Sequence, residues 1–159
     1  MCNIAGGTAA ALLSGMFEAE LQQVVALALF IPVVLGLAES VSIQSVSLTL
    51  EMMRGRRPSW RDLVSRLTAE SMTGLLLGVA CAAALGGVAV VWLGDWRVTA
   101  SLAGGIIGGV TIAALLGLAA PYLMRLSYDD PQVASGPLAL ALTDMATLLA
   151  YFNLARVFV

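Results

Sequence analysis

Residues 138–159 read LALALTDMATLLAYFNLARVFV. About 20 apolar residues suffice to cross a bilayer as a helix, and this run meets that length with two formal charges, Asp144 near its middle and Arg156 near its far end. A carboxylate at the bilayer centre costs roughly 2.5–3.5 kcal/mol on insertion scales, so it faces protein, water or an ion rather than lipid. The segment therefore predicts a membrane-spanning helix, and Asp144 is its most informative residue.

The rest of the chain agrees. Of its 159 residues 60% are hydrophobic and 11% charged, against about 25% charged in an ordinary soluble domain. Such a chain cannot cover a soluble surface. At roughly 20 residues per span plus short turns it holds about five spans, an all-α polytopic membrane protein without room for a separate soluble domain. The net charge of −2 gives no reason to invoke nucleic acid. The absence of His and Lys excludes His-based triads, His-ligated zinc or haem, and lysine Schiff bases within this chain. No nucleophile–base pair is visible, so an enzyme is not expected. Cys2 and Cys81 lie far apart in apolar surroundings and read as buried thiols. The N-terminus lacks the charged region of a signal peptide and starts abruptly inside apolar sequence, as a truncated or unusually short protein would.

Five spans are expected at about 1–16, 24–50, 69–93, 98–123 and 132–159. Between the second and third lies segment 51–66, with Arg54, Arg56, Arg57, Arg61 and Arg66. Within it, Pro58 and Ser59 before Trp60, Arg61 and Asp62 predict the start of a short interfacial helix. The positive-inside rule makes this loop cytoplasmic. Counting outward, the N-terminus is cytoplasmic and the C-terminus external, with Arg125 also inside. Trp60, Trp92 and Trp96 fall near span ends, as interfacial aromatics do. Gly74 and Gly78 in the third span, and Gly104, Gly105, Gly108 and Gly109 in the fourth, have the small-xxx-small spacing that lets helix backbones approach closely.

Two polar stripes cross apolar helices. Asp144, Thr147 and Tyr151 are three and four residues apart and share one face, which Gly136 and Leu140 extend. In the second span, Ser40, Gln44, Ser47 and Glu51 make a comparable line. The stripes imply a wet path or a seam of interhelical hydrogen bonds. A carboxylate needs a cation or a proton, and Arg156 is too far along the helix from Asp144, about 18 Å at 1.5 Å per residue. The available ligands are all oxygen, which suits hard cations: Mg²⁺, or Ca²⁺ or Mn²⁺. Mg²⁺ keeps its waters and needs one or two carboxylates. One Asp144 per subunit, doubled across a two-fold axis, supplies two, so a homodimer with the path on its axis is an economical arrangement. Glu39, also deep in an apolar span, lines the same path, pairs with an arginine or stays protonated. Glu18 and Glu20 read as an external turn, and Glu70, Asp129 and Asp130 as flanking charges. Tyr128-Asp129 matches the first half of an intramembrane aspartyl protease pair, but the second half is missing.

The stretch DPQVASGP (130–137), followed by Leu142-Thr143-Asp144 and LLAYFNLAR (148–156), resembles the last helix of the MgtE magnesium channels. Gly15-Met16-Phe17-Glu18 with LFIPVVLG (29–36) resembles that family too, as does Glu70 placed before GLLLG (74–78). The similarity runs in order over essentially the whole chain. It implies a homodimer of five-helix subunits in the plasma membrane, with a pore lined by the second and fifth helices and Mg²⁺ as the transported ion. It also implies that Asp144 is the central magnesium-binding carboxylate, with Gly136 at the cytoplasmic pore mouth and Leu140 one turn in. Glu70 and Asp130 match peripheral cytoplasmic magnesium positions, and Glu18 an external one. Thr147, Glu39, Ser40 and Gln44 complete the expected pore lining. Two departures stand out. Where the family carries Gly-Gly-Asn-Ala-Gly-x-Gln, this chain has AESVSIQ (38–44), in which only Gln44 matches. The family's cytoplasmic magnesium-sensing domains have no counterpart here, so a separate regulatory subunit is a possible partner alongside membrane lipid. Beside a passive magnesium channel, the sequence leaves open a proton- or Na⁺-coupled divalent-cation transporter and a homologue whose pore has decayed.

Overall fold

The computed structural model describes residues 2–16, 25–53, 59–127 and 135–158. They form five helices: α1 Cys2–Met16, α2 Val25–Met52, α3 Trp60–Leu93, α4 Trp96–Ser127 and α5 Ser135–Phe158. The described residues contain no strand, which fits the all-α expectation. Among them, α2 to α5 are long and apolar enough to cross a membrane. Helix α1, at 15 residues, is not among these; it extends about 22 Å at 1.5 Å per residue, short of the ~30 Å hydrocarbon core. Five helices are present, but the expectation of five spans holds plainly for four.

One boundary differs in kind. The expected interfacial helix and the third span are a single helix, Trp60–Leu93. No glycine or proline falls between Trp60 and Thr73, and Arg61, Asp62 and Arg66 are compatible with helix. Charge ends the hydrocarbon-embedded portion without ending the helix. Trp60 to Trp92 then spans about 48 Å at 1.5 Å per residue, close to the ~40–45 Å of a bilayer with its headgroups. Both rings are exposed, as interfacial anchors should be.

The turn from α3 to α4 is made by two residues. Gly94 takes a left-handed conformation, φ 66°, and its N–H bonds Val90 O. Asp95 Oδ1 then accepts the Arg97 N–H at 2.8 Å and starts α4. Only glycine adopts that φ without a Cβ penalty.

Helix α4 is the hub, packing against α2, α3 and α5, while α1 packs on α5. Its glycines explain the closeness. A Cβ on Gly78 of α3 would lie 3.0 Å from Ile107 Cα, and one on Gly74 3.0 Å from Thr111 Cα, so α3 and α4 meet backbone to backbone. Gly109 receives the Thr147 side chain and Gly105 the Tyr151 ring. Gly117 faces the Ser42 carbonyl and Ser45 Cβ of α2. The small-residue spacing thus does what such spacing does in membranes: it admits neighbouring backbones and lets dispersion hold them. Helices α2 and α3 are joined by side chains, with the Phe30 and Trp92 rings edge to face at 6.2 Å and Ser45 Oγ donating to Glu70 Oε1. The outward surface of α3 is apolar, with Leu76, Val79, Val88 and Val91 exposed, as a lipid-facing surface requires.

Candidate cation path between α2 and α5

Helices α2 and α5 run antiparallel and are tied by two buried hydrogen bonds. Thr143 Oγ1 donates to Ser42 Oγ at 3.0 Å, and Tyr151 Oη donates to Leu27 O at 2.9 Å. Beside this seam two clefts follow one another along the helices. The first, about 270 Å³, is lined by Gly6, Gly7, Glu39, Leu140, Ala141 and Asp144. The second, about 200 Å³, is lined by Ile43, Val46, Ser47, Leu50, Gly136 and Leu140. Leu140 belongs to both.

Helical spacing explains the line. Gly136, Leu140 and Asp144 are four apart on α5, and Glu39, Ile43, Val46 and Leu50 are spaced four, three and four on α2, so each set occupies one strip of its helix. The antiparallel arrangement puts Glu39 opposite Asp144 and Leu50 opposite Gly136. Helix α1 closes the first cleft with Gly6 and Gly7, which present no side chains. A Cβ on Gly6 would sit 3.2 Å from Ala141 Cβ, so α1 lies close against α5.

The electrostatics of the first cleft are one-sided. Both ionisable lining residues are acids, and among the described residues no basic side chain lines either cleft. The charges of Glu39 and Asp144 are within range of one another. Asp144 Oδ1 is buried and has no hydrogen-bond partner among the described residues. A carboxylate so placed is stabilised by a proton, a cation or ordered water, and oxygen ligands of this kind suit hard divalent ions.

The other sequence-predicted residues fall elsewhere. Thr147 shares the Asp144 strip but is fully buried, its methyl against Gly109 of α4, and it lines neither cleft. The strip faces the clefts up to Asp144, then docks into the α4 glycines. Ser40 and Gln44 are exposed on α2 outside both clefts, and Ser40 Oγ donates to Gly36 O. Glu70 is away from the clefts, engaged by Ser45. Glu18 and Asp130 lie outside the described residues, as do Arg54, Arg56 and Arg57. Gly6 and Gly7 were not singled out by sequence reasoning. The available signal was an adjacent glycine pair in a short apolar helix.

Fold and site together define a polytopic helical membrane protein with two carboxyls facing one cleft between its spans. The chain belongs to the MgtE family: residues 31–154 match the family model described as a divalent cation transporter. It is 33% identical to the magnesium transporter MgtE of Thermus thermophilus over 153 residues, covering 96% of this chain and 34% of that protein. It is 30% identical to the Enterococcus faecalis magnesium transporter MgtE over 157 residues, covering 96% and 34%, and 29% identical to that of Bacillus subtilis over 143 residues, covering 90% and 32%. The chain thus spans about a third of the length of these relatives. The family is one of transporters and not of enzymes, in agreement with the expectation from the missing nucleophile–base pair.

Proposed function

We propose that the chain carries Mg²⁺ across the plasma membrane through a path lined by α2 and α5, with Asp144 as the central cation-binding carboxylate. The carrying observation is the buried Asp144 Oδ1, without a hydrogen-bond partner and in a cleft without basic side chains among the described residues, in a member of a divalent cation transporter family. Ca²⁺ and Mn²⁺ fit the same oxygen ligands. A homodimer completes the path. Ser40, Gln44, Ser47 and Glu51 form an exposed polar stripe along a membrane-crossing helix, and lipid is a poor neighbour for it. A second copy brought up by a two-fold axis covers the stripe and adds a second Asp144. With α1 counted as a fifth, short crossing, the N-terminus is cytoplasmic and the C-terminus external, an orientation supported by the arginine-rich segment 51–66. Glu70, Asp130 and Glu18 act at most as peripheral cation positions.

The test is flux. Wild-type protein in proteoliposomes loaded with a Mg²⁺-sensitive dye is expected to admit Mg²⁺, and Asp144→Asn to lower uptake to that of empty vesicles while eluting as the same oligomer. Uptake by Asp144→Asn equal to wild type rejects the role. A coupled exchange with protons or Na⁺ is the second reading, favoured by the two carboxyls in one cleft. Flux that follows an imposed pH or Na⁺ gradient selects it; gradient-independent conduction selects the channel.

A further inference from the structure

We infer that Glu39 is a second cation-binding carboxylate of the central site, so that one subunit by itself presents a two-carboxylate seat for a hydrated divalent cation. The inference rests on the transport reading for its role in flux, and on the lining and charge of the cleft for binding.

Glu39 stands on the α2 strip that faces α5, between buried Ala38 and exposed Ser40, and it lines the same cleft as Asp144. A glutamate has a long, flexible arm and could reach away from a like charge. Here both side chains line one cleft and their carboxyls interact. Among the described residues no basic side chain lines the cleft, so none in that wall offsets the two carboxyls when both are ionised, in a medium that solvates charge poorly. A divalent cation offsets both at once; a monovalent one leaves a net charge behind.

Size agrees with charge. A cleft of about 270 Å³ has room for roughly nine waters at ~30 Å³ each. Mg²⁺ with an octahedral shell of six waters needs about 180 Å³ on the same measure. Gly6 and Gly7 line it without side chains of their own. The ion is held through its waters by acids from two helices, the mode Mg²⁺ favours. Glu39 therefore raises affinity for divalent ions and sets their preference over Na⁺ and K⁺.

The experiment uses the full chain in lipid nanodiscs, with Mn²⁺ binding read by electron paramagnetic resonance and Mg²⁺ as competitor. Glu39→Gln, which keeps the shape and removes the charge, is expected to weaken binding by about tenfold or more, on the order of one lost charge-assisted hydrogen bond. Glu39→Asp is expected to stay within a few-fold of wild type. In proteoliposomes Glu39→Gln is expected to raise the Mg²⁺ concentration for half-maximal flux and to admit more Na⁺ relative to Mg²⁺. Glu39→Gln with wild-type Mn²⁺ affinity overturns the inference, even when Asp144→Asn abolishes flux and the transport reading stands. Conversely, weakened binding in Glu39→Gln together with a wild type that passes no Mg²⁺ upholds the two-carboxylate seat and rejects the transport reading.

Discussion

Gly117 is the point at which packing and the candidate path depend on the same few atoms. A Cβ added there would lie 2.6 Å from the Ser42 carbonyl oxygen and 2.7 Å from Ser45 Cβ. The first is backbone and cannot rotate aside. Restoring an ordinary contact of 3.4 Å requires α2 to move by about 0.8 Å relative to α4. That movement strains the Ser42–Thr143 and Ser45–Glu70 hydrogen bonds, both made from the same turn of α2. Overpacking of this kind costs about 1–3 kcal/mol, and interhelical hydrogen bonds in membranes contribute roughly 0.6 kcal/mol each. Gly117→Ala is therefore expected to destabilise the fold by about 2–4 kcal/mol. The matched control is Gly87→Ala, exposed on α3, where an added Cβ meets nothing within 4 Å. It is expected to be neutral or stabilising by up to ~1 kcal/mol through helix propensity alone. Reversible unfolding of both variants in mixed micelles, followed by circular dichroism, measures the difference. Equal stability of the two would refute the claim that α2 rests directly on the α4 backbone.

Two smaller effects follow from the same contacts. Tyr151→Phe removes the donor to Leu27 O while keeping the ring in the Gly105 groove, so a loss of about 0.5–1.5 kcal/mol is expected in the same unfolding measurement. Gly94→Ala places a Cβ at φ 66° with no neighbour within 4 Å; the cost of about 1–2 kcal/mol is purely conformational, and Gly94→Asn should recover part of it.

How much of this was legible in the sequence depended on whether the signal was local. Helix existence and approximate bounds followed from apolar run length. The line from Gly136 through Leu140 to Asp144 followed from four-residue spacing, and close packing at the glycines from their small-xxx-small pattern. What the sequence did not disclose was set by neighbours. Apolarity marks immersion in lipid and not helicity, so the charged first turns of α3 read as a separate element. Thr147 sits on the Asp144 strip, yet its surroundings change because the α4 glycines accept it, and nothing within α5 announces that. Gly6 and Gly7 shape the cleft by lacking side chains, a contribution that carries weight only once α1 is laid on α5. Glu70 reads as a flanking charge until Ser45 is placed beside it.

Helix α2 supplies the strongest structural reason to expect something beyond one subunit. Ser42, Ser45 and Thr49 are buried on one side, where Ser42 and Ser45 hydrogen-bond to α5 and α3. At 3.6 residues per turn, Ser40, Gln44, Ser47 and Glu51 fall on roughly the opposite side, and all four are exposed. A membrane helix that is polar on one side can turn that side to its own bundle and the other to lipid. One that is polar on both sides cannot, because whichever side faces outward would leave hydroxyls, and on one side the Gln44 amide, in hydrocarbon. The flank between the two sides carries Glu39, Ile43, Val46 and Leu50 and forms the cleft wall with α5. With protein behind it and the clefts along its flank, α2 fits a position against water, a second copy of the chain, or both. Extended hydration and subunit contact along one helix are what an ion path at a dimer axis requires.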